Sequence, residues 1–275
     1  MLESPQSGKR IPVLQAEESA AALALRVHAV APLSDVQDST GLTAEFVAAL
    51  HDASLKPQSD SFDVILGLMR GAGISDQQIS DLYLPTVARN LGEEWAQDSK
   101  TFSEVTIGVA RLQRLLHDLG PEWRTDLAHQ PDAPAVLVLT GSKADHTFGA
   151  RIIRGQLRRR GFSVRLSLGL RPDQVKTLMG KFQFDAVMIS ASLTEDPRPL
   201  KALVDAVRSA ANPVPPIVLG GTICARSEDI KSITGADFVT SEIEDAVRFC
   251  ALDVPTHQTR TPQTRTHQTH ASKKR

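Results

Sequence analysis

Between Leu42 and Leu119 apolar residues recur every three or four positions, the spacing of helices that bury one face. Residues 42–53 form the first such stretch. Residues 59–71 form the second, with Phe62, Ile65, Leu66 and Met69 on one face. Ser75 stands where an N-cap is needed for the third, which passes through Ile79, Leu82, Val87 and Leu91 to Trp95, with a kink expected at Pro85. Ser103 is placed to cap a fourth, in which Val105, Val109, Leu112 and Leu116 share a face, and Gly120-Pro121 ends it. Four helices with short connections predict a small antiparallel bundle. A further Ala- and Leu-rich stretch, residues 14–30, is compatible with a helix ahead of it.

Past residue 134 the pattern changes to short unbroken apolar runs. Residues 135–139, 163–168, 186–189, 217–219 and 238–239 read as strands. Helical stretches at 149–160, 172–182, 199–211, 227–233 and 243–252 separate them. Strands buried on both faces and alternating with helices predict a doubly wound parallel sheet of the α/β class. The expected division is an N-terminal, partly helical extension (1–58), a helical cap bundle (59–121), an α/β domain (122–254) and a tail (255–275).

Composition adds limits. The chain has 275 residues, is 41% hydrophobic and carries a formal charge of −1, so no overall field draws it to nucleic acid or to a membrane. The charge is uneven. Residues 255–275 hold Arg260, Arg265, Lys273, Lys274 and Arg275 and no acid, and subtracting that +5 from −1 leaves −6 on the rest. This tail is low in complexity and is expected to be disordered, as is the polar start at residues 1–12. No long apolar run predicts a membrane span, and the two cysteines, Cys224 and Cys250, cannot make a disulfide framework. A cytoplasmic protein is expected.

The chemistry concentrates at strand ends. His146 follows the first strand in Lys143-Ala144-Asp145-His146-Thr147-Phe148-Gly149, where open α/β sheets bind ligands. A helix N-terminus disfavours imidazolium, and neutral imidazole is the form that ligates a metal. Gly149 has no side chain to block a bulky planar ligand. Ser190-Ala191-Ser192 follows the third strand and Gly220-Gly221-Thr222 the fourth. Each has an ordinary reading as well: a histidine at a helix start, small residues in a loop, glycines in a turn. In order, the set resembles the signature of cobalamin-binding domains, Asp-x-His-x-x-Gly, Ser-x-Leu and Gly-Gly. That resemblance implies that His146 replaces the cofactor's own base on cobalt, and that Gly149, Ser190, Ser192, Gly220, Gly221 and Thr222 line the slot for the displaced base. Two departures stand out. Ala144 occupies the family's carboxylate position, with Asp145 beside the histidine instead, and Ser192 replaces leucine.

The helical half extends the likeness. Leu91-Gly92-Glu93-Glu94-Trp95 and Thr101-Phe102-Ser103-Glu104-Val105-Thr106-Ile107-Gly108 resemble the bundle that caps cobalamin in sensory proteins. There a tryptophan covers the upper corrin face, which gives Trp95 and Glu104 that role here. By themselves Trp95 reads as a core aromatic and Glu104 as an acid favoured at a helix start. Photosensory relatives carry Glu-His where Glu104-Val105 stands, so an upper protein ligand would come from elsewhere, for example His28. Residues 60–252 together resemble the AerR/PpaA group. The resemblance implies a flavodoxin-like five-stranded parallel sheet preceded by a four-helix bundle. It implies hydroxo- or adenosylcobalamin as cofactor, with haem as the alternative tetrapyrrole. It also implies a light- or redox-responsive antirepressor, not an enzyme. The implied partner is a PpsR/CrtJ-type transcriptional repressor of photosynthesis genes, with DNA reached only indirectly and no membrane. The competing expectation is a corrinoid carrier serving a methyltransferase. The Arg151, Arg154, Arg158, Arg159 and Arg160 run makes one helix face basic, which most simply is a solvated face.

Overall fold

A computed structural model of the chain describes residues 42–56, 60–120, 133–142 and 147–252. The expected helix at 14–30, the polar start and the tail therefore lie outside the described residues. The bundle comprises α1 (Ala44–Leu55), α2 (Asp60–Gly71), a short α3 (Asp76–Gln78) continued by a π-helical turn (Ile79–Tyr83) into α4 (Leu84–Ala96), and α5 (Phe102–Asp118). Phe46 and Leu50 of α1 share one buried core with Met69, Ile79, Leu84, Leu91 and Leu112. The boundary drawn at residue 58 thus cuts through the bundle: α1 is one of its members.

Two details of the bundle differ from expectation. Ser75 caps α3 as the sequence suggests, through a reciprocal box with Gln78. The cap of α5, however, is Thr101 and not Ser103. Thr101 Oγ1 accepts from the Glu104 amide at 3.3 Å, while the Thr101 amide donates to Glu104 Oε2 at 2.8 Å. A Thr-x-x-Glu box satisfies two orphan amides at once, which a lone serine cannot. Second, the irregularity expected at Pro85 appears just before it. Pro85 follows the wide π turn directly, at the start of α4, where a proline inside the continuous helix cannot donate to the preceding turn.

The sheet order is β2-β1-β3-β4-β5, all parallel, from β1 (Ala135–Gly141), β2 (Ser163–Leu170), β3 (Ala186–Ser190), β4 (Ile217–Gly220) and β5 (Phe238–Val239). Between them lie α6 (Phe148–Arg159), α7 (Pro172–Met179), α8 (Pro197–Ala210) and α9 (Ile230–Thr234), and α10 (Ile243–Phe249) closes the domain. Strand alternation divides the core. Leu137, Leu139, Val187, Ile189, Ile217 and Leu219 pack against Val175 of α7 and Leu200, Leu203 and Val204 of α8. Val136, Val138, Ala186, Met188 and Val218 face the other way, against Ala150 and Leu157 of α6 and Ala246 of α10.

Helix α6 serves two cores. Its Phe148 and Ile152 belong to the bundle core, so the bundle is mounted along α6. One ion pair spans the same junction, and a second lies beside it. Asp81 of the π turn takes Arg159, with side chains only 14% and 12% exposed. Arg160 pairs with Glu244 of α10 within the sheet domain, in a more open setting. Burying an apolar side chain is worth about 1.5–3 kcal/mol, whereas the attraction of a largely buried ion pair is mostly offset by the cost of desolvating both charges. Phe148 and Ile152 therefore hold the junction, and Asp81–Arg159 fixes its register. No helix among the described residues is long and apolar enough to cross a membrane.

Candidate functional site

The carboxyl ends of β1, β3 and β4 converge at the switch in strand order, where β1 connects outward to β2 on one side and β3 lies on the other. Lys143, Ala144, Asp145 and His146 fall outside the described residues. β1 ends at Gly141 and α6 begins at Phe148, so the described chain stops at Ser142 on this edge and resumes at Thr147. Gly149 lies in the first turn of α6 and faces the end of β3. A Cβ built on it would stand 3.4 Å from Ser190 Oγ. Ser190 itself is buried.

The glycine pair is required by this chain's own backbone. Gly221 has φ of +97°, and a Cβ there would lie 2.3 Å from the Ala191 carbonyl oxygen. A Cβ on Gly220 would lie 2.9 Å from the Thr240 carbonyl oxygen. These close approaches let the loops after β3, β4 and β5 lie against one another. Side chains then stitch the rim. Thr222 Oγ1 accepts from the Leu193 amide at 2.9 Å, the Ser192 amide donates to Glu195 Oε1 at 2.9 Å, and Arg226 donates to the Leu193 and Glu195 carbonyls. Ser192 Oγ lies 3.1 Å from Thr194 Oγ1. Thr140, buried in β1, accepts from the Gly169 amide at 3.0 Å and fixes the end of β2. A cavity of about 520 Å³ opens at this edge, bordered by Gly141, Leu170, Ser192, Thr194 and Leu203.

Six of the sequence-predicted residues are thus brought together: Gly149, Ser190, Ser192, Gly220, Gly221 and Thr222. Trp95 and Glu104 form a second group at the turn between α4 and α5. Trp95 is 44% exposed and belongs to none of the three cores, so its reading as a core aromatic fails. Its ring lies 6.1 Å from that of Phe102, itself 68% exposed. Glu104 is engaged in the Thr101 box, and the Thr101 amide and hydroxyl hold its carboxyl below the usual range. Its position is explained by capping alone.

Other groups here carry no sequence signal. His51 Nε2 sits 3.0 Å from Glu94 Oε2, and both line a crevice of about 1020 Å³ that reaches Ser241 and Glu242 after β5. These residues are far apart in the chain, and only the packing of α1 on α4 pairs them. Burial pushes the Cys224 thiol up, so beside the β4 loop it stays neutral. No group of three metal-binding side chains occurs among the described residues.

The lining suits a large flat cofactor. Every residue along the rim from Ser190 to Ser192 and Gly220 to Thr222 is small, and Gly149 adds no side chain where α6 packs against Ser190.

Comparison with known proteins agrees. Residues 135–250 match the family described as B12 binding domain. A Rhodobacter capsulatus protein, described as an uncharacterized 20.5 kDa protein in the bchF-crtJ intergenic region, is 30% identical over 181 residues, covering 66% of this chain and 94% of its own. Among solved structures, the monomethylamine corrinoid protein of Methanosarcina barkeri superposes with a TM-score of 0.62 at 16% identity, over 77% of this chain and 99% of that one. This confirms the α/β sheet with its helical cap. A cobalamin-binding protein from Desulfitobacterium hafniense aligns at 17% identity over 74% of this chain and 97% of its own, with a TM-score of only 0.38. By its B12 binding domain and its likeness to the Rhodobacter protein, the chain belongs to the AerR/PpaA family of cobalamin-binding proteins.

Proposed function

We propose that this protein is a cobalamin-dependent antirepressor that responds to light or redox state and acts on a PpsR/CrtJ-type repressor of photosynthesis genes. The observation that carries the cofactor half is the match of residues 135–250 to the B12 binding domain, supported by the small residues along the rim. The regulatory half is supported by the likeness to a protein encoded between bchF and crtJ.

In this reading the His146 imidazole would be the protein's ligand to cobalt. Gly149 and Ser190 would keep side-chain bulk away from the site, and Gly221 locks the loops after β3 and β4 together. When bound, the cofactor would supply a coloured metal centre able to exchange a ligand. The half-exposed Trp95, with Phe102 beside it, would shield the bound group from the bundle side. The output passes through the bundle, which is held on α6 by Phe148, Ile152 and the Asp81–Arg159 pair. A cofactor form that fits one bundle position better than another shifts the population by its differential affinity.

The corrinoid-carrier reading shares this fold. Ala144, standing where the family places a carboxylate, removes the proton relay that methyl transfer uses. The decisive experiment is the visible spectrum of purified protein in dark and light, with His146→Ala beside it. A corrin spectrum altered by His146→Ala supports axial ligation, and an unaltered one refutes it. A haem spectrum replaces the cofactor assignment. Light-dependent capture of the repressor supports the antirepressor role, and negligible association in both states removes it.

A further inference from the structure

A cleft of about 90 Å³ lies between α5 and α6, bordered by Gln113 and His117 on one side and Arg151, Arg154, Arg158 and Arg159 on the other. Helix α6 and the residue after it carry five arginines and no acid. Asp81 is the only carboxylate among the described residues bordering the cleft, and it is engaged with Arg159. Arg160, at the helix end, is engaged with Glu244. Arg158 Nε is buried with no hydrogen-bond partner among the described residues. A buried guanidinium N–H without an acceptor is costly, more so with like charges beside it.

We infer that this cleft binds a small tetrahedral oxyanion, a phosphate or phosphate monoester, with Arg151 and Arg158 as its principal donors. The volume matches one such group. Guanidinium forks suit its oxygens, and His117 and Gln113 offer further polar contacts from α5. A nucleic-acid backbone is the poorer occupant, because the cleft is small and walled by two helices. Bound here, the anion would bridge α5 to α6 and tighten the bundle on the sheet domain.

The test is calorimetric titration of the full-length protein, with and without cobalamin, using inorganic phosphate at fixed ionic strength and chloride as control. Saturable, one-to-one binding of phosphate but not chloride is expected. Arg158→Gln and Arg151→Gln should each weaken it about ten-fold, as loss of a charge-assisted bond requires. Lys201→Gln on α8, paired with Asp205 elsewhere, should leave it unchanged. Arg151 is exposed, so its variant reports on binding even where Arg158→Gln fails to fold. Equal heats for phosphate and chloride, or full binding by Arg151→Gln, overturn the inference. Loss of phosphate binding on cobalamin loading overturns it too, since the cofactor's own phosphodiester would then fill the cleft. Salt-sensitive binding of duplex DNA without phosphate binding would assign the arginines to a nucleic-acid surface instead. Failure of the protein to bind cobalamin would leave the phosphate result standing.

Discussion

Single residues at the rim separate folding from binding. Gly221→Ala places a Cβ 2.3 Å from the Ala191 carbonyl oxygen in a conformation that side chains rarely adopt. Urea unfolding should show a loss on the order of 2 kcal/mol or more. Gly149 is different. Its Cβ would meet only Ser190 Oγ at 3.4 Å, and alanine is the better helix former, so Gly149→Ala should keep stability within about 1 kcal/mol. Gly149→Leu should abolish cobalamin uptake, read from the corrin absorbance retained after gel filtration. Retention of cofactor by Gly149→Leu would show that the mouth lies elsewhere. Cys250 offers a pH test. Burial, with a smaller contribution from Asp237, pushes its thiol up from 9.0 to about 11. The folded state holds this proton more tightly than the unfolded chain. Its contribution is therefore complete below pH 9 and is lost as pH rises towards 11. Cys250→Ala should accordingly lose less stability than wild type between pH 8 and pH 10.5 in denaturant titrations.

At the scale of elements, Thr101→Ala should destabilise α5 by about 1 kcal/mol in thermal or urea unfolding. Glu104→Gln keeps an acceptor for the Thr101 amide and should preserve both fold and corrin spectrum. A changed spectrum would give Glu104 a place at the cofactor after all. The Thr-x-x-Glu box was present in the sequence, but Ser103 is the cap that sequence reasoning chose, and the backbone geometry selects Thr101 instead. The strands were far more legible. Short, β-branched runs between turn residues can be buried in only one way, and Phe238–Val239 appears at its expected bounds. The helix after β4 was not: 227–233 was expected, whereas Ile230–Thr234 forms, because Asp229 caps it by accepting from the Ser232 amide at 3.1 Å. In the site, the glycines and serines were readable because they follow strand ends. The His51–Glu94 pair and the arginine cleft were not, since each joins elements whose packing no local pattern records.

On the scale of the molecule, bundle and sheet domain are joined through α6. Sequence reasoning made the stretch at 149–160 a helix between strands; no local pattern shows that Phe148 and Ile152 turn to the bundle. Asp81→Ala should cost on the order of 3 kcal/mol, because it leaves Arg159 charged at a largely dry junction. Calorimetry should then separate one melting transition into two, whereas a surface pair such as Lys201–Asp205 should have no such effect. The junction depends on the π turn at Ile79–Tyr83, which places one residue more than an α-helical turn would hold. Rewinding those same residues as regular α-helix, with none removed, would roll α4 by up to about 100° against α3. Asp81 and Trp95 could then no longer both keep their present bearings. The wide turn is thus a phase adjuster, letting a single rod aim one end at the sheet domain and the other at its aromatic tip.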